Sequence, residues 1–155
     1  MSDAIVTPRG FSHIRLTLTD IHRSKACYDQ LFGMPPGRDF SDQIDDPGIR
    51  DDPDRTYGGC SFTFAGQTLG LRPAAPDGDR FNPDRVGLDH VSFAVAEVGD
   101  LETADRRLTA AGIEHGQITD LPRFGVVILS VQDPDNINLE LVAPRPRTEH
   151  QRALD

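Results

Sequence analysis

Two histidines and one glutamate carry the chemistry that this sequence offers most plainly. His13 stands in Phe11-Ser12-His13-Ile14-Arg15-Leu16-Thr17-Leu18, and His90 in Leu88-Asp89-His90-Val91-Ser92-Phe93-Ala94-Val95. Glu140 stands in Ile137-Asn138-Leu139-Glu140-Leu141. A lone histidine on a strand is more often a satisfied polar residue than a ligand. Here two occupy the same place in the two halves of a repeat, and the carboxylate falls on the same kind of strand face. That set predicts a divalent-metal site built between the halves from His13, His90 and Glu140. Imidazole and carboxylate ligands suit Fe, Mn, Co, Ni or Zn, and the residues do not choose among them. The other histidines, His22, His115 and His150, read as surface residues on a helix, a strand edge and the tail.

The elements that must position these groups occur twice, in the order β-α-β-β-β. The first module covers residues 10–73. A strand over 11–18 meets Thr19-Asp20, a side-chain cap for the helix that follows. Ile21, Ser24, Cys27, Tyr28, Leu31 and Phe32 share one helical face, Gly33 suits the end, and Pro35-Pro36 prevents continuation. A short extended piece near Arg38-Asp39-Phe40 precedes a hairpin of 59–65 and 67–72 around Gly66. Residues 74–86, rich in Pro, Asp and Gly, read as a linker. The second module covers 87–144. It has a strand over 88–96, a helix over 100–111 ended by Gly112, and extended segments at 113–118, 125–132 and 137–143. Asp133-Pro134-Asp135-Asn136 makes the last turn. Residues 145–155 form a tail. Ser41–Tyr57, with six aspartates, has no counterpart in the second module. It reads as a solvated insertion, with a lid over a site as the sharper alternative.

Strand alternation assigns the faces. Ile14, Leu16 and Leu18 pack under a helix, which turns His13, Arg15 and Thr17 the other way. Val91, Phe93 and Val95 oppose His90, Ser92 and Ala94, and Leu139 and Leu141 oppose Asn138, Glu140 and Val142. All three candidate ligands therefore lie on the face away from the helices. If the sheet curls, that face lines a cup.

Composition narrows the partners. The chain has 155 residues, a net charge of −9 and a single lysine beside fifteen arginines. That balance opposes binding to a phosphate backbone, so nucleic acid is excluded. No apolar run approaches a membrane span, and the N-terminus lacks the pattern of a secretion signal, which makes the cytoplasm the expected compartment. The first nine residues read as a loose arm. Cys27 and Cys60 show no ligand or redox spacing and read as free thiols.

With these residues in view, the chain resembles the vicinal oxygen chelate superfamily of glyoxalases, extradiol dioxygenases, methylmalonyl-CoA epimerases, fosfomycin-inactivating enzymes and bleomycin-binding proteins. The resemblance covers Gly10 to Pro144. It is carried by Phe11-Ser12-His13-Ile14, by Thr19-Asp20-Ile21-His22-Arg23-Ser24 with Tyr28 and Leu31-Phe32-Gly33, by Leu88-Asp89-His90-Val91, and by Asp133 to Glu140. It implies an α+β fold in which two βαβββ modules form a paired, cup-shaped mixed β-sheet with flanking helices. His13, His90 and Glu140 are the metal ligands by that pattern. Gly70 stands where glyoxalases and epimerases place a fourth ligand, and Ser130 where ring-cleaving enzymes offer a tyrosine.

The resemblance also implies bidentate chelation of adjacent substrate oxygens by a Lewis-acidic ion. Arg15 and Arg72 should point into the cup and favour a carboxylate or phosphate on the substrate, and Ser130 joins them as a substrate contact. Tyr57, Phe62, Phe64 and Phe124 offer an aromatic wall. Cys60, ten residues before Gly70, falls symmetrically to Ser130. The expected function is a metal-dependent, glyoxalase- or dioxygenase-like enzyme acting on a small oxygen-rich, anionic metabolite. The alternative is a metal-free protein that sequesters a drug or metabolite. Family habit predicts a homodimer.

Overall fold

Period-two alternation gives way to helical periodicity at Thr19-Asp20, and the backbone changes there. In a computed structural model describing residues 5–146, β1 spans His13–Leu18 and α1 spans Ile21–Phe32. Asp20 caps α1 by accepting the Arg23 backbone N–H at 3.0 Å, satisfying one of the donors a helix start leaves unpaired. At the other end Gly33 takes the left-handed conformation, φ 65°, and its N–H donates to the Asp29 carbonyl.

The Arg23 N–H is also the main reason that the Asp20 carboxyl titrates below its ordinary value. A carboxyl lowered in the folded state adds stability above its unfolded pKa of about 3.9, and that stability is lost as pH falls through the folded value. Asp20→Ala is therefore expected to cost about 1 kcal/mol at neutral pH. The gap between variant and parent should narrow in urea melts run at successively lower pH, as the folded-state carboxyl takes up its proton.

The first sheet adds β2 (Arg38–Asp39), β3 (Cys60–Phe64) and β4 (Gln67–Pro73) in the order β1-β4-β3-β2. β1 runs parallel to β4, and the other pairs are antiparallel. The second half repeats this with β5 (Val91–Ala94), α2 (Val98–Ala111), β6 (Thr119–Leu121), β7 (Val126–Gln132) and β8 (Asn138–Pro144), in the order β5-β8-β7-β6. The fold is α+β, built of two βαβββ modules. The chain divides into two compact units between Asp79 and Arg80, inside the segment read as a linker.

Each unit buries one sheet face under its own helix. In the first, Leu16, Leu18, Phe62, Leu69 and Leu71 are buried together with Ile21 and Tyr28 of α1. Burying each such side chain contributes about 1.5–3 kcal/mol. Phe62 and Phe64 belong to this packing rather than to an aromatic wall: Phe32 meets Phe62 edge-on at 5.3 Å and Phe64 at 5.2 Å. In the second unit Val127, Leu129, Val131, Leu139, Leu141 and Ala143 are buried with Leu101 and Leu108 of α2. The opposite face, with Ser130 and Glu140, stays partly open.

Several expectations need correction. Ser41–Tyr57 is solvated over much of its length, as expected, but it is not a plain loop: it forms three single 3₁₀ turns, at Ser41–Gln43, Ile49–Asp51 and Thr56–Gly58, anchored through buried Ser41 and Ile49. Ile49 is 1% exposed. The aspartates are used locally: the Arg55 Nε donates to Asp52 at 2.6 Å and its Nη1 reaches Asp46 and Gln43, each at 3.3 Å. Lys25 pairs with Asp39 and donates to the buried Ser41 hydroxyl.

In the second module the strand is shorter than 88–96, and His90 stands immediately before it. α2 starts earlier than residue 100 because Glu97 and Asp100 form a reciprocal capping box. Residues 113–118 do not form the expected strand; only His115 bridges, to Val131. Pro122–Gly125 turns the chain, with Gly125 at φ 69°, so the strand paired with β7 is 119–121. His115 is not a surface residue either, because the Thr109 hydroxyl and the Gly116 carbonyl hold its two ring nitrogens at 3.0 and 2.9 Å.

Of the segment read as a tail, the described part ends at residue 146, and there Arg145 grips Asp120 through Nε and Nη2. His150, the rest of the tail and the first four residues of the arm lie outside the described residues. Among the described residues, no helix is long and apolar enough to cross a membrane.

Candidate metal and substrate site

The second unit brings His90 and Glu140 together. β5 runs parallel to β8 with Ser92 opposite Glu140, so His90, two residues before Ser92, stands over the same face. The His90 Nε2 lies 4.0 Å from a Glu140 carboxylate oxygen. Two neighbours set the roles of these atoms. The Ser92 hydroxyl donates to the same Glu140 oxygen at 2.8 Å. On the other side of the imidazole, Nδ1 meets the Asp89 carboxylate at 2.5 Å.

A carboxylate can only accept, so the neutral imidazole carries its proton on Nδ1 and leaves a lone pair on Nε2. In that neutral form the Nε2 lone pair faces the Glu140 oxygen that the Ser92 hydroxyl also contacts. Two Lewis bases so placed fit a cation. A carboxylate behind a ligating imidazole is also the arrangement that fixes its tautomer and raises its basicity. Asp89 and Ser92 were missed as functional residues, although the Asp-His pair and the shared strand face were visible in the sequence.

Ser130 lies opposite Glu140 on the other side, in the antiparallel β7–β8 register. Gly116 leaves it room, since a Cβ there would stand 2.4 Å from the Ser130 hydroxyl oxygen. Its counterpart in the first module is Ser61 rather than Cys60: Ser61 is opposite Gly70, whereas Cys60 is opposite Leu71. The two hairpins differ in loop length, so equal spacing along the chain does not give equal register. Cys60 faces the core, and burial pushes its thiol up to about 12, which makes it inert. Cys27 and Cys60 are both free thiols.

The first unit carries His13, Arg15 and Arg72. His13 and Arg15 line a cavity of about 460 Å³ together with Arg38 and the hydroxyl residues Ser12, Thr56 and Ser61. Among the described residues, no Asp or Glu is in its lining. Gly70 pairs with Arg15, and the Arg15 side chain crosses the space where a Gly70 side chain would be: a Cβ there would meet Arg15 Nε at 3.3 Å. Both guanidiniums lie over the Tyr57 ring, Arg15 at 5.3 Å and Arg72 at 4.2 Å from its centroid. Phe124 is 79% exposed.

Among the described residues, no three His, Cys, Asp or Glu side chains are gathered as a ready metal cage. The pair that is assembled is His90 with Glu140.

A family profile described as Glyoxalase/Bleomycin resistance protein/Dioxygenase superfamily matches residues 10–141. No curated protein matches the sequence. Solved structures do. A glyoxylase/bleomycin resistance protein/dioxygenase domain from Frankia sp. is 26% identical with a TM-score of 0.65, covering 95% of this chain and 99% of that one. Lactoylglutathione lyase from Agrobacterium tumefaciens is 18% identical with a TM-score of 0.61, over 89% and 96% of the two chains. A mutant fosfomycin resistance protein from Listeria monocytogenes is 19% identical with a TM-score of 0.66, over 96% and 100%. That protein was crystallised with Mn(II) and a dihydroxypropylphosphonic acid.

Proposed function

The chain belongs to the Glyoxalase/Bleomycin resistance protein/Dioxygenase superfamily, and we propose that within it the protein is a metal-dependent enzyme acting on a small oxygen-rich metabolite. The observation that carries this reading is the His90–Glu140 pair with Asp89 behind the imidazole and Ser92 on the carboxylate. A protein that only sequesters an organic ligand has no use for such a pair. His13 supplies the third ligand in this reading, giving two imidazoles and one carboxylate with positions left open for substrate. A divalent ion held there supplies Lewis acidity toward adjacent substrate oxygens.

The chain's own residues divide the remaining work. Asp89 keeps the His90 proton on Nδ1, and Ser92 fixes one oxygen of Glu140. Ser130 offers a hydroxyl beside that carboxylate. Arg15 and Arg72 bind and orient substrate, and a homodimer is the proposed assembly. Lyase or isomerase chemistry and ring cleavage both fit these residues.

The test is to purify the protein without chelator, measure bound metals, and load it anaerobically with Fe, Mn, Co, Ni or Zn. Each loaded form is then screened against catechols, α-ketoaldehyde–thiol adducts and phosphonates. Turnover that depends on one of these ions is expected. A protein that arrives metal-free and takes up none of them would instead be the sequestering type.

A further inference from the structure

At one register position the two modules carry opposite charge. In the second, Ser92 faces Glu140 across β5 and β8, a hydroxyl donating to an anion. In the first, Arg15 faces Gly70 across β1 and β4, so a cation crosses the space where the other module holds its carboxylate. Arg72 joins it two residues along β4, and Tyr57 lies under both guanidiniums.

This concentration of positive charge is unneutralised. Among the described residues, neither Arg15 nor Arg72 has a carboxylate partner, in a chain that holds 25 acidic residues against 16 basic ones. The Arg72 Nε is buried and has no hydrogen-bond partner. The backbone goes out of its way to present Tyr57: Thr56, Tyr57 and Gly58 run at φ 49°, 61° and 73°, and two of these three carry side chains in a region that favours glycine. A tyrosine that merely covered apolar surface would need none of this.

We infer that Arg15 and Arg72, set side by side on Tyr57 and given room by Gly70, form a seat for a doubly charged oxyanion at one end of the substrate. The inference rests on the proposed enzymatic reading only in that this anion belongs to the molecule whose oxygens the metal chelates. Two planar guanidiniums match two negative charges, and each offers paired N–H donors to oxygen. Tyr57 is a positioning residue. Its ring stacks with the guanidiniums and holds them in place while leaving their edges to the ligand.

Calorimetric titration of the full chain, stripped of metal with chelator, tests this. The probe is inorganic phosphate at about pH 8, where it is doubly charged, and acetate is the singly charged control. Saturable phosphate binding is expected, with acetate at least about tenfold weaker. Arg15→Gln should weaken phosphate binding at least about tenfold, and Gly70→Glu should abolish it by placing a carboxylate against Arg15. Tyr57→Phe should keep the binding and Tyr57→Ala should lose most of it. Arg15 is exposed, so its variant keeps the fold, and thermal melts verify the others.

Absence of saturable binding by the parent protein overturns the inference, as does binding equal for acetate and phosphate or unchanged in Arg15→Gln. His90→Ala separates this seat from the metal reading. It should lose metal and keep phosphate binding, so either claim fails without the other.

Discussion

Glu140→Gln is expected to lower divalent-metal affinity by at least about 100-fold, with little change in melting temperature. A metal ligand must offer an anionic or strongly basic atom, and removing one of the three proposed ligands should exceed the 10–100-fold cost of losing a supporting residue behind a ligand. Glutamine keeps the shape of the side chain, and its amide oxygen still accepts from the Ser92 hydroxyl. The strand pairing on both sides of residue 140 is made by the backbone and survives. What disappears is the negative charge facing the His90 lone pair. Mn(II) titration followed by electron paramagnetic resonance reads the affinity directly. Asp89→Asn is the graded companion. It leaves all three proposed ligands in place but weakens the hold on the His90 tautomer, and a loss of about 10–100-fold is expected.

Gly59→Ala is expected to destabilise the protein by about 3–5 kcal/mol, a size reserved for changes that the structure cannot absorb. A Cβ at this position would stand 1.9 Å from the Leu71 carbonyl oxygen and 3.0 Å from that of Thr56. Both are backbone atoms, so no rotamer change relieves the clash. The cause is the way the insertion returns to the sheet. The Gly59 carbonyl accepts from the Phe40 N–H at 3.0 Å and from the Thr56 hydroxyl at 2.9 Å, drawing the chain tight against β4. Gly66→Ala is the contrast. It sits at φ 75° with nothing within 4 Å, so it carries only the left-handed backbone penalty of about 1–2 kcal/mol. Urea denaturation of the two variants should separate them clearly. Because the same turn presents Tyr57, Gly59→Ala should also disturb the two arginines above that ring.

The sequence made the modules legible because each relies on local rules. Asp20 before a helical face and Gly33 after it mark α1 without any knowledge of the rest. Period-two alternation put His13, Arg15 and Glu140 on the sheet faces where the structure has them. Register was harder, because it depends on how many residues a loop spends. The module-one hairpin turns on Ala65-Gly66 and the module-two hairpin on residues 133–137, which moves the counterpart of Ser130 from Cys60 to Ser61.

Tyr57 was named as part of an aromatic wall, but its partnership with two arginines depends on a positive-φ backbone at non-glycine residues. No composition rule signals that conformation. The insertion was only partly legible for a related reason. Its aspartates suggested solvent, and all but Asp52 are exposed, but nothing in the composition signalled that Arg55, Lys25 and Ile49 would anchor the segment. His115 looked peripheral because Thr109, its partner from α2, is brought to it by the turn that ends that helix rather than by a motif.

X-ray absorption at the zinc edge of the zinc-loaded protein bears most directly on whether His13, His90 and Glu140 together hold one ion. The account predicts a first shell of nitrogen and oxygen at about 2.0–2.2 Å. Multiple scattering should show two imidazoles per zinc, falling to one in His13→Ala and to one in His90→Ala. A shell with no imidazole, or one that stays the same in both variants, would contradict it.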